Sequence, residues 1–239
     1  MNYSDFGVES ASRDRSLYLS AAFPALMRKV YLWMTMALVI TGFTAYGVAT
    51  SPAILSAILM NKMLFFGLII GEFALVIGLS AAINRLSLSM ATLMFVLYSV
   101  INGATLSVIF LAYTMSSIAN VFFITAGTFA AMAFIGYTTK KDLSGMGKML
   151  MMALIGLIIA TVVNLFLRST GLQLIVSYIG VLVFVGLTAY DTQKIKQMLM
   201  MAEDTGETAQ KLALLGALSL YLDFVNMFLY MLRIFGKEE

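Results

Sequence analysis

Residues 218–236, LSLYLDFVNMFLYMLRIFG, decide how the whole chain is read. At about 1.5 Å per residue they are long enough to cross most of a hydrocarbon core of about 30 Å. They are apolar enough to do so, yet Ser219, Asp223, Asn226, Tyr230 and Arg233 interrupt them. Those five recur at steps of four, three, four and three, so on a helix they fall in one polar stripe. A stripe of that kind facing lipid would leave polar groups stranded in hydrocarbon. The segment is therefore expected to be the central helix of a membrane bundle.

The rest of the chain supplies the bundle. Apolar runs cover 30–49, 63–83, 88–111, 117–137, 149–167, 172–192 and 212–232, separated by glycine or polar clusters. Of 239 residues, 61% are hydrophobic and 11% charged, and the mean hydropathy is +0.95. A soluble domain carries about 25% charge. The expected fold class is an all-α membrane protein, a seven-transmembrane-helix bundle with a central seventh helix. Residues 1–29 read as a polar cytoplasmic N-terminal segment and 30–235 as the seven-helix transmembrane domain. The first run is too long for the apolar region of a signal peptide and has no small-residue cleavage pattern after it, so it reads as a retained span. The links 112–116 and 168–171 are short enough to make the helices they join antiparallel neighbours. Gly67 and Gly71 form GxxxG, expected to be a close packing contact.

Basic residues give an orientation. Eleven of the 15 Lys and Arg residues fall on the N-terminal side and four, Lys62, Arg168, Arg233 and Lys237, on the other. The positive-inside rule then places the N-terminus in the cytoplasm and the C-terminus outside. A formal net charge of +3 with no dense basic run gives no reason to expect nucleic acid. Histidine and cysteine are both missing, which excludes imidazole catalysis, thiol chemistry and the usual zinc sites. A switch near neutral pH would need a perturbed carboxylate or lysine. Asp204-Thr205-Gly206 spells the soluble aspartic-protease triplet but occurs once, and reads as a turn. The 19 methionines read as dispersed apolar packing rather than copper ligands.

Glu72, Asp191 and Asp223 interrupt the spans. Each costs on the order of 2.5–3.5 kcal/mol at a helix centre, so either a structural pairing or an ion or proton site should compensate. Asp191 lies 15 residues before Gly206 and Asp223 lies 17 after it. With the sixth helix continuing past the bilayer, both aspartates stand roughly 22–26 Å from the turn, side by side in the cytoplasmic half. Two carboxylates held together in a low dielectric should share a proton and titrate as a coupled pair. Ser99, Asn102, Thr105 and Ser107 of the third span could line the same interior or serve as ordinary helix-packing groups.

The segments GLTAYDTQKIK (186–196), 218–236 and YTTKKDLSG (137–145) closely resemble the Bax inhibitor-1 (transmembrane Bax-inhibitor-motif) family. The likeness is strongest to its bacterial members and runs from about residue 25 to the end. The resemblance implies a multi-pass protein of the bacterial inner (plasma) membrane, not an enzyme, with no covalently bound cofactor. It implies a pH-sensitive passive calcium leak, with Ca²⁺ transported or regulatory. Asp191 and Asp223 match the family's proton-sensing, ion-binding aspartates, and Arg85 the arginine that bonds to them. Glu72 and Arg233 match a gating latch. Ser219, Asn226 and Tyr230 would complete a polar pore stripe. Thirteen helical steps place Arg85 about 220° from Glu72, so both face the centre only if the helix kinks or ends near Ser80-Ala81. Implied partners are the lipid bilayer, Ca²⁺, protons and another membrane protein. A stress regulator acting through that last partner is the alternative function. An intramembrane aspartyl protease is the remaining one: Tyr190-Asp191 fits its first motif, but Leu220-Tyr221-Leu222-Asp223 departs from Gly-x-Gly-Asp.

Overall fold

The computed structural model describes residues 3–202 and 206–237, with side chains from Phe23 onward. Asp204 and Thr205 of the expected turn lie outside the described residues. Among those described, every regular element is a helix. The elements are α1 (Tyr3–Ala49), α2 (Pro52–Met60), α3 (Lys62–Ala82), α4 (Leu88–Leu106), α5 (Ile109–Ala112), α6 (Met115–Thr138), α7 (Ser144–Leu167), α8 (Thr170–Met200) and α9 (Glu207–Phe235). Seven stretches are long and apolar enough to cross a membrane, with α4 and α5 together forming one of them.

Helix ends follow local chemistry. Asn61, Ser87, Thr114 and Ser169 each cap a helix by accepting a bond from the backbone N–H three residues on, at 3.1–3.3 Å. Such caps satisfy donors that a helix start otherwise leaves unpaired. Pro52 opens α2, where its missing N–H costs nothing. This short helix in the link between the first two spans has no counterpart in the apolar pattern. Helix α8 continues about two turns beyond the end of its apolar run at 192, to Met200, as its helix-forming tail predicts.

Helix α9 is the hub. In the apolar window of each span, 67% of α9 is buried, against 6% for α3. It packs on α8, α1, α6 and α4. Tyr221, fully buried, meets Phe95 and Tyr98 edge-on at centroid distances of 6.0 and 5.7 Å. Phe224 is met in the same way by Phe122 and Phe129. Lipid is as apolar as these side chains, so close packing and interhelical polar contacts, not water exclusion, hold the bundle together.

The GxxxG expectation needs correction. Among the described residues, no atom beyond the helix's own nearby backbone and the adjacent residues lies within 4 Å of where a Cβ on Gly67 or Gly71 would stand. Small-residue spacing encodes a flat helix face, but not what covers it. Close approach occurs elsewhere: a Cβ on Gly136 would strike the backbone carbonyl of Ala189, and one on Gly180 would stand 2.7 Å from the Tyr230 ring. These two glycines bring α6 and α9 against α8, the helix that carries Asp191.

Candidate functional site

Helix α8 is anchored before it delivers its carboxylate. Gln193 donates to the Lys141 carbonyl and accepts from the Leu143 N–H, both at 2.8 Å. Lys196 donates to the Tyr137 carbonyl at 2.8 Å. The α6–α7 connection is thus clamped to α8 one turn beyond Asp191.

Asp191 and Asp223 are brought to the same level of the α8–α9 contact, because Asp191 bonds to Ser219, one helical turn before Asp223 on α9. The Ser219 hydroxyl donates to Asp191 Oδ2 at 2.7 Å. Asp223 is 4% exposed, and its Oδ2 is buried with no hydrogen-bond partner. A buried carboxylate oxygen without a donor is costly as an anion, and a second carboxylate beside it makes it costlier. Such a pair stays in place only with a proton or a cation to balance it. Among the described residues no group of three or more acidic, histidine or cysteine side chains is placed to hold a metal. Two carboxylates and a hydroxyl suit a loosely held hard cation that keeps part of its water.

The polar stripe of α9 meets two neighbourhoods. Ser219 and Tyr230 meet α8, where Tyr230 stacks on Phe184 with ring centroids 5.9 Å apart. Asn226 donates to the Leu222 carbonyl at 2.8 Å and turns to a cavity of about 360 Å³ among α3, α4 and α9, shared with Glu72, Tyr98, Asn102 and Thr105.

Glu72 does not pair with Arg233 in this structure. Thr105 Oγ1 donates to its Oε1 at 2.5 Å and Asn102 Nδ2 to its Oε2 at 3.2 Å. Asn102 in turn accepts from the Tyr221 hydroxyl at 2.8 Å, and Tyr221 lies 2.7 Å from Thr41 Oγ1. This line ties α3, α4, α9 and α1 together. Arg233 lies instead over the Tyr230 ring, 5.4 Å from its centroid. The reason is positional: about two helix turns separate Arg233 from the level of Asn226, and closer donors already occupy Glu72.

Arg85 is also not at the aspartates. Helix α3 ends at Ala82, and Arg85 is exposed in the turn that follows. That turn is held by others. Lys211 donates to the Leu86 carbonyl at 2.7 Å and the Leu88 N–H donates to Glu207 at 2.9 Å. Sequence reasoning missed Thr41 and Tyr221 as partners in the Glu72 line. Thr41 is one of three threonines in the run 30–49 and nothing in the spacing singles it out, and Tyr221 two residues before Asp223 passes for aromatic packing. Outside the spans, hydrogen bonds from Ser144 hold the Asp142 carboxyl below its ordinary range.

Comparison with known proteins supplies the family context. The family model described as "Inhibitor of apoptosis-promoting Bax1" matches residues 24–239. The chain is 53% identical over 221 residues to the inner membrane protein YbhL of Escherichia coli K12, covering 92% of this chain and 94% of that protein. It is 46% identical over 213 residues to an uncharacterised protein of Borreliella burgdorferi, covering 89% and 92%. It is 43% identical over 215 residues to the uncharacterised protein RP147 of Rickettsia prowazekii, covering 89% of each chain.

Proposed function

This chain belongs to the Bax inhibitor-1 family, and from that premise we propose that it is a passive, proton-sensitive cation leak with Asp191 and Asp223 as its sensor. It is a multi-pass protein of the bacterial inner membrane. The observation that carries the reading is the Asp223 oxygen, buried beside a second carboxylate with no donor of its own. A proton satisfies that oxygen at low pH. A cation satisfies it once the proton leaves. Proton and cation therefore compete for one place, and calcium is the ion whose oxygen-ligand chemistry fits two carboxylates and retained water. The proposed orientation keeps the N-terminus cytoplasmic, following the excess of Lys and Arg on that side.

The protein catalyses no reaction in this reading. Asp223 at 4% exposure offers no surface to a peptide bond, which argues against a protease. A second reading, regulation of another membrane protein, draws on α3: its exposed Gly67 and Gly71 face is a surface that a foreign helix could approach closely.

Calcium flux into proteoliposomes across pH 5 to 8 tests the leak. Flux should change steeply with pH. A flat response from folded protein would remove the leak reading and favour the regulator.

A further inference from the structure

At the opposite end of α9 from Gly206, the chain ends of three spans surround a cavity of about 520 Å³. Helix α7 stops at Leu167, α8 starts at Thr170 and α9 stops at Phe235, so the cavity opens at the level where hydrocarbon gives way to headgroups. Arg168 and Arg233 line it together with Thr161, Asn164 and Gln173. No acidic residue is among its lining residues. Neither guanidinium has a carboxylate partner among the described residues, where Lys211–Glu207 is the ion pair formed.

Both arginines are positioned rather than loose. Arg168 closes α7 with φ 50°, the single positive-φ residue other than glycine among those described. Glycine or asparagine ordinarily takes that helix-ending position, and another side chain there is strained. The peptide is further pinned by Arg168 N–H donating to the Asn164 carbonyl at 2.8 Å and Ser169 N–H to the Asn164 side chain at 3.0 Å. Arg233 lies on the Tyr230 ring, and that ring is itself seated on Gly180 and stacked on Phe184.

Two guanidinium forks with no carboxylate partner among the described residues, lining one cavity with the amides of Asn164 and Gln173, are a donor set for a phosphate oxyanion. We propose that this cavity binds phosphate, and that its depth in the membrane makes a phospholipid headgroup the source. A headgroup with net negative charge should be preferred, because a zwitterionic one brings its own cation to the same place. Inorganic phosphate carries the same oxyanion and is the other source. The site is separate from the aspartate pair and does not depend on the leak reading.

Native mass spectrometry of the full chain, purified in detergent with equal phosphatidylglycerol and phosphatidylcholine, tests this. Wild-type protein should retain phosphatidylglycerol over phosphatidylcholine by about fivefold or more. R168Q/R233Q should bring the ratio near one, while K62Q, a basic residue outside the cavity, should keep it. If the double variant does not fold, R168Q alone should still cut the ratio by at least about half. Addition of millimolar inorganic phosphate separates the sources: a retained lipid supports the headgroup, and its displacement supports free phosphate in the same site. Equal retention of both lipids by wild type, or an unchanged ratio in R168Q/R233Q, overturns the proposal.

Discussion

Two sites in this bundle hold acids within the spans, Glu72 half-buried and Asp223 buried, and they are built on opposite plans. Around Glu72, Thr105 and Asn102 each supply a donor, and Tyr221 and Thr41 extend the line to two further helices. Around Asp223, the neighbouring acid is Asp191, the one hydroxyl bond goes to Asp191, and Asp223 Oδ2 receives nothing. A carboxylate supplied with donors is a fixed part of the packing. A carboxylate deprived of them must take a proton or an ion. The contrast separates an acid tied into the helix packing from the one to which the proposed reading assigns the sensor role.

The largest effect expected from that contrast is at the aspartates. Asp191→Asn and Asp223→Asn should each abolish most of the pH dependence of flux while leaving the melting temperature near wild type, because neither removes a donor that Asp223 Oδ2 was using. Flux and melting measured on the same preparations check this. A variant that melts early but keeps its pH dependence would make the pair structural.

Glu72→Leu should behave in the reverse way. It takes both acceptor oxygens from Thr105 Oγ1 and Asn102 Nδ2, which leaves the Asn102 amide donor unpaired at a cost of about 1–3 kcal/mol. Thermal unfolding should report the loss, and the pH profile of flux should keep its midpoint. A moved midpoint would merge the two sites into one sensor.

Ser219→Ala takes away the hydroxyl bond to Asp191 and nothing else. It should lower stability by about 1 kcal/mol and weaken the ionised form of the pair, so the transition in flux should move to higher pH without disappearing. Titrating flux in finer pH steps than for the Asn variants would resolve that shift.

The smallest effect concerns the implied latch. Glu72 is occupied by Thr105 and Asn102, and Arg233 by the Tyr230 ring. A double-mutant cycle on Glu72→Gln and Arg233→Gln should give a coupling below about 0.5 kcal/mol, the value for independent sites. Strong coupling in basal leak would mean that the two meet in another state of the bundle.

The helices and the central place of α9 were legible because hydropathy and one polar stripe carry that information in consecutive residues. The aspartates were legible because a single turn near Gly206 fixes their relative height, and Ser219 bonding to Asp191 agrees with that count. Glu72 was legible as an acid in a span but its partners were not, since Asn102 and Thr105 lie on the next span and Tyr221 on the last. The latch and the Arg85 contact came from resemblance, and local geometry turned both arginines elsewhere: α3 ends three residues before Arg85, and Arg233 finds a ring one helical turn below it. Gly67 and Gly71 were misread because a motif of small residues says that a partner can approach, not that one is present.

Proton release on calcium binding tests the central claim most directly. Purified wild-type protein in weakly buffered detergent solution near neutral pH should release protons to a pH indicator dye when Ca²⁺ is added. Asp191→Asn and Asp223→Asn, folded by their melting curves, should release few or none. Calcium binding to wild type without proton release, or equal release from both variants, would contradict an aspartate pair shared between proton and cation.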